Sequence, residues 1–149
     1  VACRLRLRRR PRSDMFPDSP SIRQQVIEEA ERWKGTPFLH NAMVRGCGVG
    51  CGTLLMGVYG ALGVPVPTLD ELGHFPRDWH QHTDEERYLN ILLKYSKIVA
   101  APQPGDMVLF KMKRVYGHSG LITTWPHLIH VLWGSTVQGA NADQMPLQK

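Results

Sequence analysis

The sequence predicts an α+β fold, with helices first and a small antiparallel sheet second. Helically spaced apolar residues fill the first two thirds of the chain, and after about residue 105 the pattern changes to short alternating runs. Gly or Pro turns separate those runs, as strands of a meander require. At 149 residues the chain suits one domain, and 42% hydrophobic with 21% charged residues is the composition of a folded globular protein. No apolar run approaches the roughly 18–20 residues that cross a bilayer, so no membrane-spanning helix is expected. Three cysteines, an odd number, exclude a disulfide-stapled mini-protein.

Each element has its own signal. Ser19 or Ser21 can cap a helix over roughly 20–34, with Pro20 tolerated in its first turn; Ile22, Val26, Ala30 and Trp33 fall on one face and Gly35 ends it. Residues 35–50 form a loop containing GTPF and the glycine cluster RGCGVGCG. A second helix starts near Cys51 and carries Leu54, Leu55, Val58, Tyr59 and Leu62 inward before Gly63 stops it. VPVPTLDELGHFPRDWHQH reads as a long irregular connection. Thr83 and Glu86 make a capping box for a third helix over 84–96, with Leu89, Leu92 and Tyr95 on one face. Asp106–Met112, His118–Thr124, His127–Trp133 and Ser135–Gln138 then read as strands.

The formal net charge of +5 belongs to one end of the chain. Arg4, Arg6, Arg8, Arg9, Arg10 and Arg12 contribute +6 within the first twelve residues, which leaves −1 for the rest. Residues 1–14 therefore read as a basic, disordered tail before a domain over 15–149, with Met15 a possible start. The tail could serve as an arm for nucleic acid or an anionic surface, but the solvated reading is favoured and nucleic acid is not expected as a partner. It lacks the apolar stretch of ~7–15 residues that a secretory signal needs.

Cys51 is the residue with chemistry to offer. At the start of a helix entered through a glycine-rich loop, free backbone N–H groups and the helix dipole favour a thiolate and lower its pKa from about 8.5. Gly50 and Gly52 let backbone approach a substrate, and the same N–H groups could hold an oxyanion. A nucleophilic cysteine needs an imidazole base, itself oriented by a polar group. His118 and His130 fall in successive strands and can supply both, provided they share a face. A three-residue Trp125–His127 loop would pair Thr124 with Leu128 and achieve that; a two-residue loop would put them on opposite faces. Position alone leaves a buried structural cysteine equally open.

GTPF, GVGCGTLLMGVY, PQPGDMVLF, YGHSGLI and LIH occur in that order, and together resemble the landmarks of the NlpC-type, papain-like cysteine peptidases. The resemblance covers roughly residues 22–140 and is nearest to the branch found in bacteriophage tails and gene-transfer particles. It implies Cys51 as nucleophile, His118 as general base and His130 as the orienting third residue, with a structural Pro104-Gly105-Asp106 turn. It implies hydrolysis of peptidoglycan stem peptides between D-γ-glutamate and a diamino acid, without a cofactor or metal. A tail-tip or hub protein is the implied partner, and the virion tail the implied location, reached without a signal peptide or membrane anchor. Two positions depart from the family pattern: Gly50 stands where Asp is usual, and Phe38 where a Tyr hydroxyl assists the site. The alternative is therefore a catalytically degenerate domain kept as a structural tail-tip component.

Other readings weigh less. Cys47, Cys51, His118 and His130 could be recast as zinc ligands, but the histidine spacing does not suit a compact knuckle. A Cys47–Cys51 disulfide would silence the nucleophile. His80 and His82 read as part of a solvated loop, His40 and His74 as unassigned, and Trp79, Trp125 and Trp133 as packing residues. The acids Asp70, Glu71, Asp78 and 84–86 read as a solvated face, although a cationic substrate would tolerate one of them near a cleft.

Overall fold

A computed structural model describes residues 2–8, 20–73, 75–76 and 78–145. Its elements are β1 (Ala2–Leu7), α1 (Pro20–Arg32), β2 (Met43–Val44), β3 (Gly48–Val49), α2 (Cys51–Ala61), α3 (Leu69–Leu72) and a 3-10 turn at Trp79–Gln81. Then come α4 (Arg87–Leu93), β4 (Ser96–Ile98), β5 (Met107–Met112), β6 (Val115–Thr124), β7 (His127–His130), β8 (Gln138–Asn141) and a final 3-10 turn at Ala142–Gln144. The fold is α+β, as expected: six antiparallel strands in the order β4-β1-β5-β6-β7-β8, with the β2–β3 hairpin apart.

The first strand corrects the reading of residues 1–14 as a disordered tail. Cys3-Arg4-Leu5-Arg6-Leu7 alternates with the period of a strand. Leu5 and Leu7 are buried in the core beneath the helices, so β1 is an interior strand between β4 and β5. Arg6 and Arg8 are anchored, the first on the Asp106 carboxylate and the second on the Ser96 carbonyl. Residues 9–14 of that tail, Met15, the Ser19 cap and His74 lie outside the described residues.

Two cores flank the sheet. Met107, Leu109, Leu121 and Ile129 face α1 and α2, where Val26, Ala30, Trp33, Leu54, Leu55, Val58 and Tyr59 complete the main cluster. Val108, Phe110, Ile122 and Leu128 line the other face with Ala142 and Met145. A methyl on Gly57 would come within 2.6 Å of the Trp33 ring, so the close approach of α1 to α2 requires a glycine there.

The segment read as the third helix is shorter than expected. Thr83 Oγ1 accepts the Glu85 amide, and the Glu86 carboxylate accepts the Tyr116 amide of β6, so the anticipated box does not close. The helix starts at Arg87, and Ser96 leaves it for β4 with its hydroxyl on the Leu92 carbonyl. A capping box closes instead at Thr68 and Glu71, within the stretch read as irregular. The last two strands are shifted as well: β7 stops at His130, and β8 is Gln138–Asn141 rather than Ser135–Gln138.

The β6–β7 turn decides whether the two histidines meet. Thr124 pairs with His127 across a two-residue connection, the length expected to separate them. A bulge at Thr123 cancels the offset, so that Ile122 pairs with Leu128 and Gly120 with His130. His118 and His130 therefore share a face.

Candidate active site

Gly50 precedes α2 in extended backbone at φ −93° and ψ 171°, and its amide donates to Thr53 Oγ1 at 2.8 Å. Cys51 is thus the first residue of the helix, beside amides that have no carbonyl one turn back. The thiol forms part of the wall of a cleft of about 420 Å³. Phe38, Gly50, Gly52, Tyr88, Gly117 and His118 line the same cleft.

A second bulge sets the position of His118. Phe110 pairs with His118 and Lys111 with Tyr116, leaving Gly117 as the extra residue immediately before the histidine. The His118 ring stacks on Phe110 with centroids 5.9 Å apart. Its Nε2 lies 2.9 Å from Nδ1 of His130, the two rings meeting edge to face. One ring nitrogen of His118, Nε2, is therefore engaged by His130, and Nδ1 is the other. Gly120 makes room for this pair: a methyl there would lie 2.7 Å from Leu128 Cδ1 and 3.1 Å from the Ile129 carbonyl.

The resting protonation states differ from the sequence expectation. Burial pushes the Cys51 thiol above its ordinary value, although Ser119 and the amides of Gly52 and Cys51 donate hydrogen bonds that favour the thiolate. The helix start alone does not outweigh that desolvation. Burial, reinforced by His130, lowers His118 to about 3, and burial lowers His130 to about 4. At neutral pH these shifts leave a neutral thiol and two neutral imidazoles, not a thiolate–imidazolium pair.

Several cleft residues carry little signal in the sequence. Tyr88, read as part of a helix, is buried with its hydroxyl 2.8 Å from Ser119 Oγ. His40 lines the cleft with Nε2 bonded to the Phe75 carbonyl, and half-buried His80 also belongs to the lining. His82 stays on the surface, 2.9 Å from Asp78. Trp79 packs on Phe75 at 4.8 Å, and Trp125 lies under Arg4, whereas Trp133 is 69% exposed at the cleft rather than buried in the core. Cys3, Cys47 and Cys51 are all free thiols. Among the described residues no three His, Cys, Asp or Glu side chains converge as metal ligands.

No protein-family model matches the sequence, and no curated protein is similar to it in sequence. Similarity appears in three dimensions. The NlpC/p60 domain of the peptidoglycan hydrolase SagA superposes with a TM-score of 0.55 at 15% identity, over 81% of this chain and 90% of that one. A lipoprotein-like NLP/P60 family protein of Staphylococcus aureus subsp. aureus Mu50 gives 0.58 at 16% identity, over 91% of this chain. The chain spans 42% of the length of that staphylococcal protein. The six-stranded antiparallel sheet with α2 against it is the fold of the NlpC/p60 domains.

Proposed function

We propose that the protein is a thiol peptidase of the bacterial cell wall, with Cys51 as nucleophile, His118 as general base and His130 as its orienting partner. The observation that carries this reading is the shared cleft: the thiol opens α2 on one wall, and His118, backed by His130 at 2.9 Å, forms another. Support for the substrate class comes from the fold shared with a peptidoglycan hydrolase.

This reading requires one tautomer. For Nδ1 of His118 to accept a proton, its Nε2 must carry one and donate it to Nδ1 of His130. With both partners neutral at rest, the thiol proton passes to His118 as Sγ attacks the carbonyl. The oxyanion forms beside the free amides at the start of α2. Collapse of the adduct breaks the C–N bond, and His118 returns the proton to the leaving amine. Water, deprotonated by the same imidazole, then releases the acyl group from sulfur.

The finer reading is an endopeptidase that cuts stem peptides between D-γ-glutamate and a diamino acid, carried to the wall on a phage-like tail by a tail-tip or hub partner. Mass spectrometry of stem peptides incubated with the protein and with Cys51→Ala tests the chemistry. Cleavage after γ-glutamate that disappears in the variant is expected. Intact peptides under reducing conditions would overturn it. Gly50 and Phe38 at the cleft favour the second reading, an inactive tail-tip component, and that reading predicts the intact peptides. Co-purification with tail proteins from intact particles tests the placement, and a chain absent from particles would refute it.

A further inference from the structure

Of the acids that read as a solvated face in the sequence, the structure brings one to the cleft. Asp78 lines it, whereas Asp70, Glu71 and residues 84–86 do not. Three of those others are taken up elsewhere: Glu71 accepts the Tyr95 hydroxyl, Asp84 meets Arg114, and Glu86 accepts the Tyr116 amide. Asp78 thus gives the cleft its one carboxylate, and among the described residues no Lys or Arg lines it. Most of the remaining wall is apolar, with Phe38, Leu72, Met112 and Val131 among its members.

The position of Asp78 is set by the 3-10 turn that it precedes. Trp79 of that turn packs on the Phe75 ring at 4.8 Å, and Gln81 Oε1 accepts from Lys113 Nζ at 3.3 Å. His80 lies against Gly117, where an added methyl would come within 3.1 Å of the His80 Cβ. Gly117 is the bulge residue just before His118, so the turn is fixed to the strand that carries the imidazole. His82 Nε2 stands 2.9 Å from Asp78 Oδ2, and that bond holds the carboxyl below its usual range. The group is therefore an anion at neutral pH. It is 56% exposed and keeps acceptor capacity on its oxygens for a second donor.

An apolar wall with one anchored carboxylate fits a flexible aliphatic stem that ends in an ammonium. The methylenes lie along the wall, and the cation meets the anion while staying partly in water. A side chain of that kind is what distinguishes a diamino acid. We infer that Asp78 is a specificity-determining residue that binds the ω-ammonium of the diamino acid in the stem peptide, so that the cleft selects peptides in which this amine is free. The inference rests on the reading of the cleft as a stem-peptide site and deepens it.

The test is isothermal titration calorimetry on the chain carrying Cys51→Ala, which cannot consume its ligand. The probes are L-Ala-γ-D-Glu-L-Lys, the same peptide acetylated on the lysine ε-amine, and the same peptide acetylated on its N-terminal amine instead. Asp78→Asn keeps the size of the side chain and can still accept from His82. It should weaken the first and third peptides about threefold to fivefold, the reach of a partly exposed charge pair, and leave the ε-acetylated peptide unchanged. Asp84→Asn removes an equal charge outside the cleft and should change none of the three. Equal losses for all three peptides in Asp78→Asn, or the same losses in Asp84→Asn, overturn the inference. So does an Asp78 effect that disappears on acetylating the N-terminal amine, and so does a tripeptide that fails to bind. Cleavage is scored separately on the unmodified chain. Cys51-dependent cleavage with binding indifferent to Asp78 removes this site and leaves the peptidase; Asp78-dependent binding without cleavage does the reverse.

Discussion

Arg6 grips Asp106 across one hundred residues of chain, with Nε 3.0 Å from Oδ1 and Nη2 3.0 Å from Oδ2. The carboxylate is almost wholly buried and also accepts from Arg23 at 3.1 Å and from the Gln103 amide at 2.8 Å. One side chain thereby ties together β1, α1 and the turn that starts β5. A two-pronged guanidinium contact to a buried carboxylate is the geometry in which an ion pair contributes, and removing one partner strands the other.

Arg6→Ala should therefore destabilise the fold by about 1–3 kcal/mol, less than a fully stranded charge because Arg23 remains on Asp106. Urea denaturation gives the value. Removing residues 1–8 should cost far more, since β4 would lose the strand that joins it to the sheet and β5 one of its two neighbours. A truncated chain with an unaltered unfolding midpoint would show that β1 is dispensable.

The paired imidazoles make the domain sensitive to acid. Folding lowers His118 to about 3 and His130 to about 4, against 6.5 in the unfolded chain. Between pH 6.5 and about 4 the unfolded state binds more protons than the folded one, so stability falls as pH falls. The slope approaches about 1.4 kcal/mol per pH unit for each histidine. Thermal unfolding at pH 7 and pH 5 should show the loss, and His130→Gln should reduce the slope by about half. Equal stability at both values would mean that the two rings are protonated without unfolding.

Much of this architecture is legible in the sequence because it rests on local periods. The helix from Pro20, the start of α2 at Cys51 and the run from Met107 to Met112 all follow from spacing and glycine punctuation. What escapes is decided by distant partners. In β1 the six arginines near the N-terminus mask a Leu-Arg-Leu alternation that is itself a strand signal. Glu86 is drawn from its helix to the Tyr116 amide, and no local pattern announces that. Tyr88 and Ser119 lie 31 residues apart and meet only once α4 packs on β6. The helix-start argument for a thiolate names the right field but cannot weigh it against burial, which depends on the whole cleft.

The bulge at Thr123 yields a sharp test of register. Deleting Thr123 removes the extra residue and leaves Thr124 opposite His127 and Ile122 opposite Leu128, so His118 and His130 stay paired. The deletion should keep the acid sensitivity described above, because the same two rings remain buried together. Loss of the acid-dependent slope in the deletion would show that the bulge holds the pair by some route other than register.

Gly50 is the position where the sequence raises doubt about activity, and the structure says what an aspartate would do there. The backbone is extended, and a methyl at Gly50 would sit 3.4 Å from Thr53 Oγ1 and 3.8 Å from the Asn41 amide, ordinary contacts that admit a side chain. Gly50→Asp would place a carboxylate at the N-cap of α2, where it can accept first-turn amides and face the positive end of the helix. Relative to Gly50→Ala, which fills the same space without a cap, the aspartate should stabilise by about 0.5–2 kcal/mol. The same negative charge beside Cys51 disfavours the thiolate and adds to the effect of burial, so the pH midpoint of Cys51 alkylation by iodoacetamide should move up. Stability and thiol acidity thus change in opposite senses. Glycine at this position is then a concession in helix capping that spares the Cys51 sulfur a neighbouring anion. A midpoint that moves down in Gly50→Asp would show that ordering the amides around sulfur outweighs the added charge.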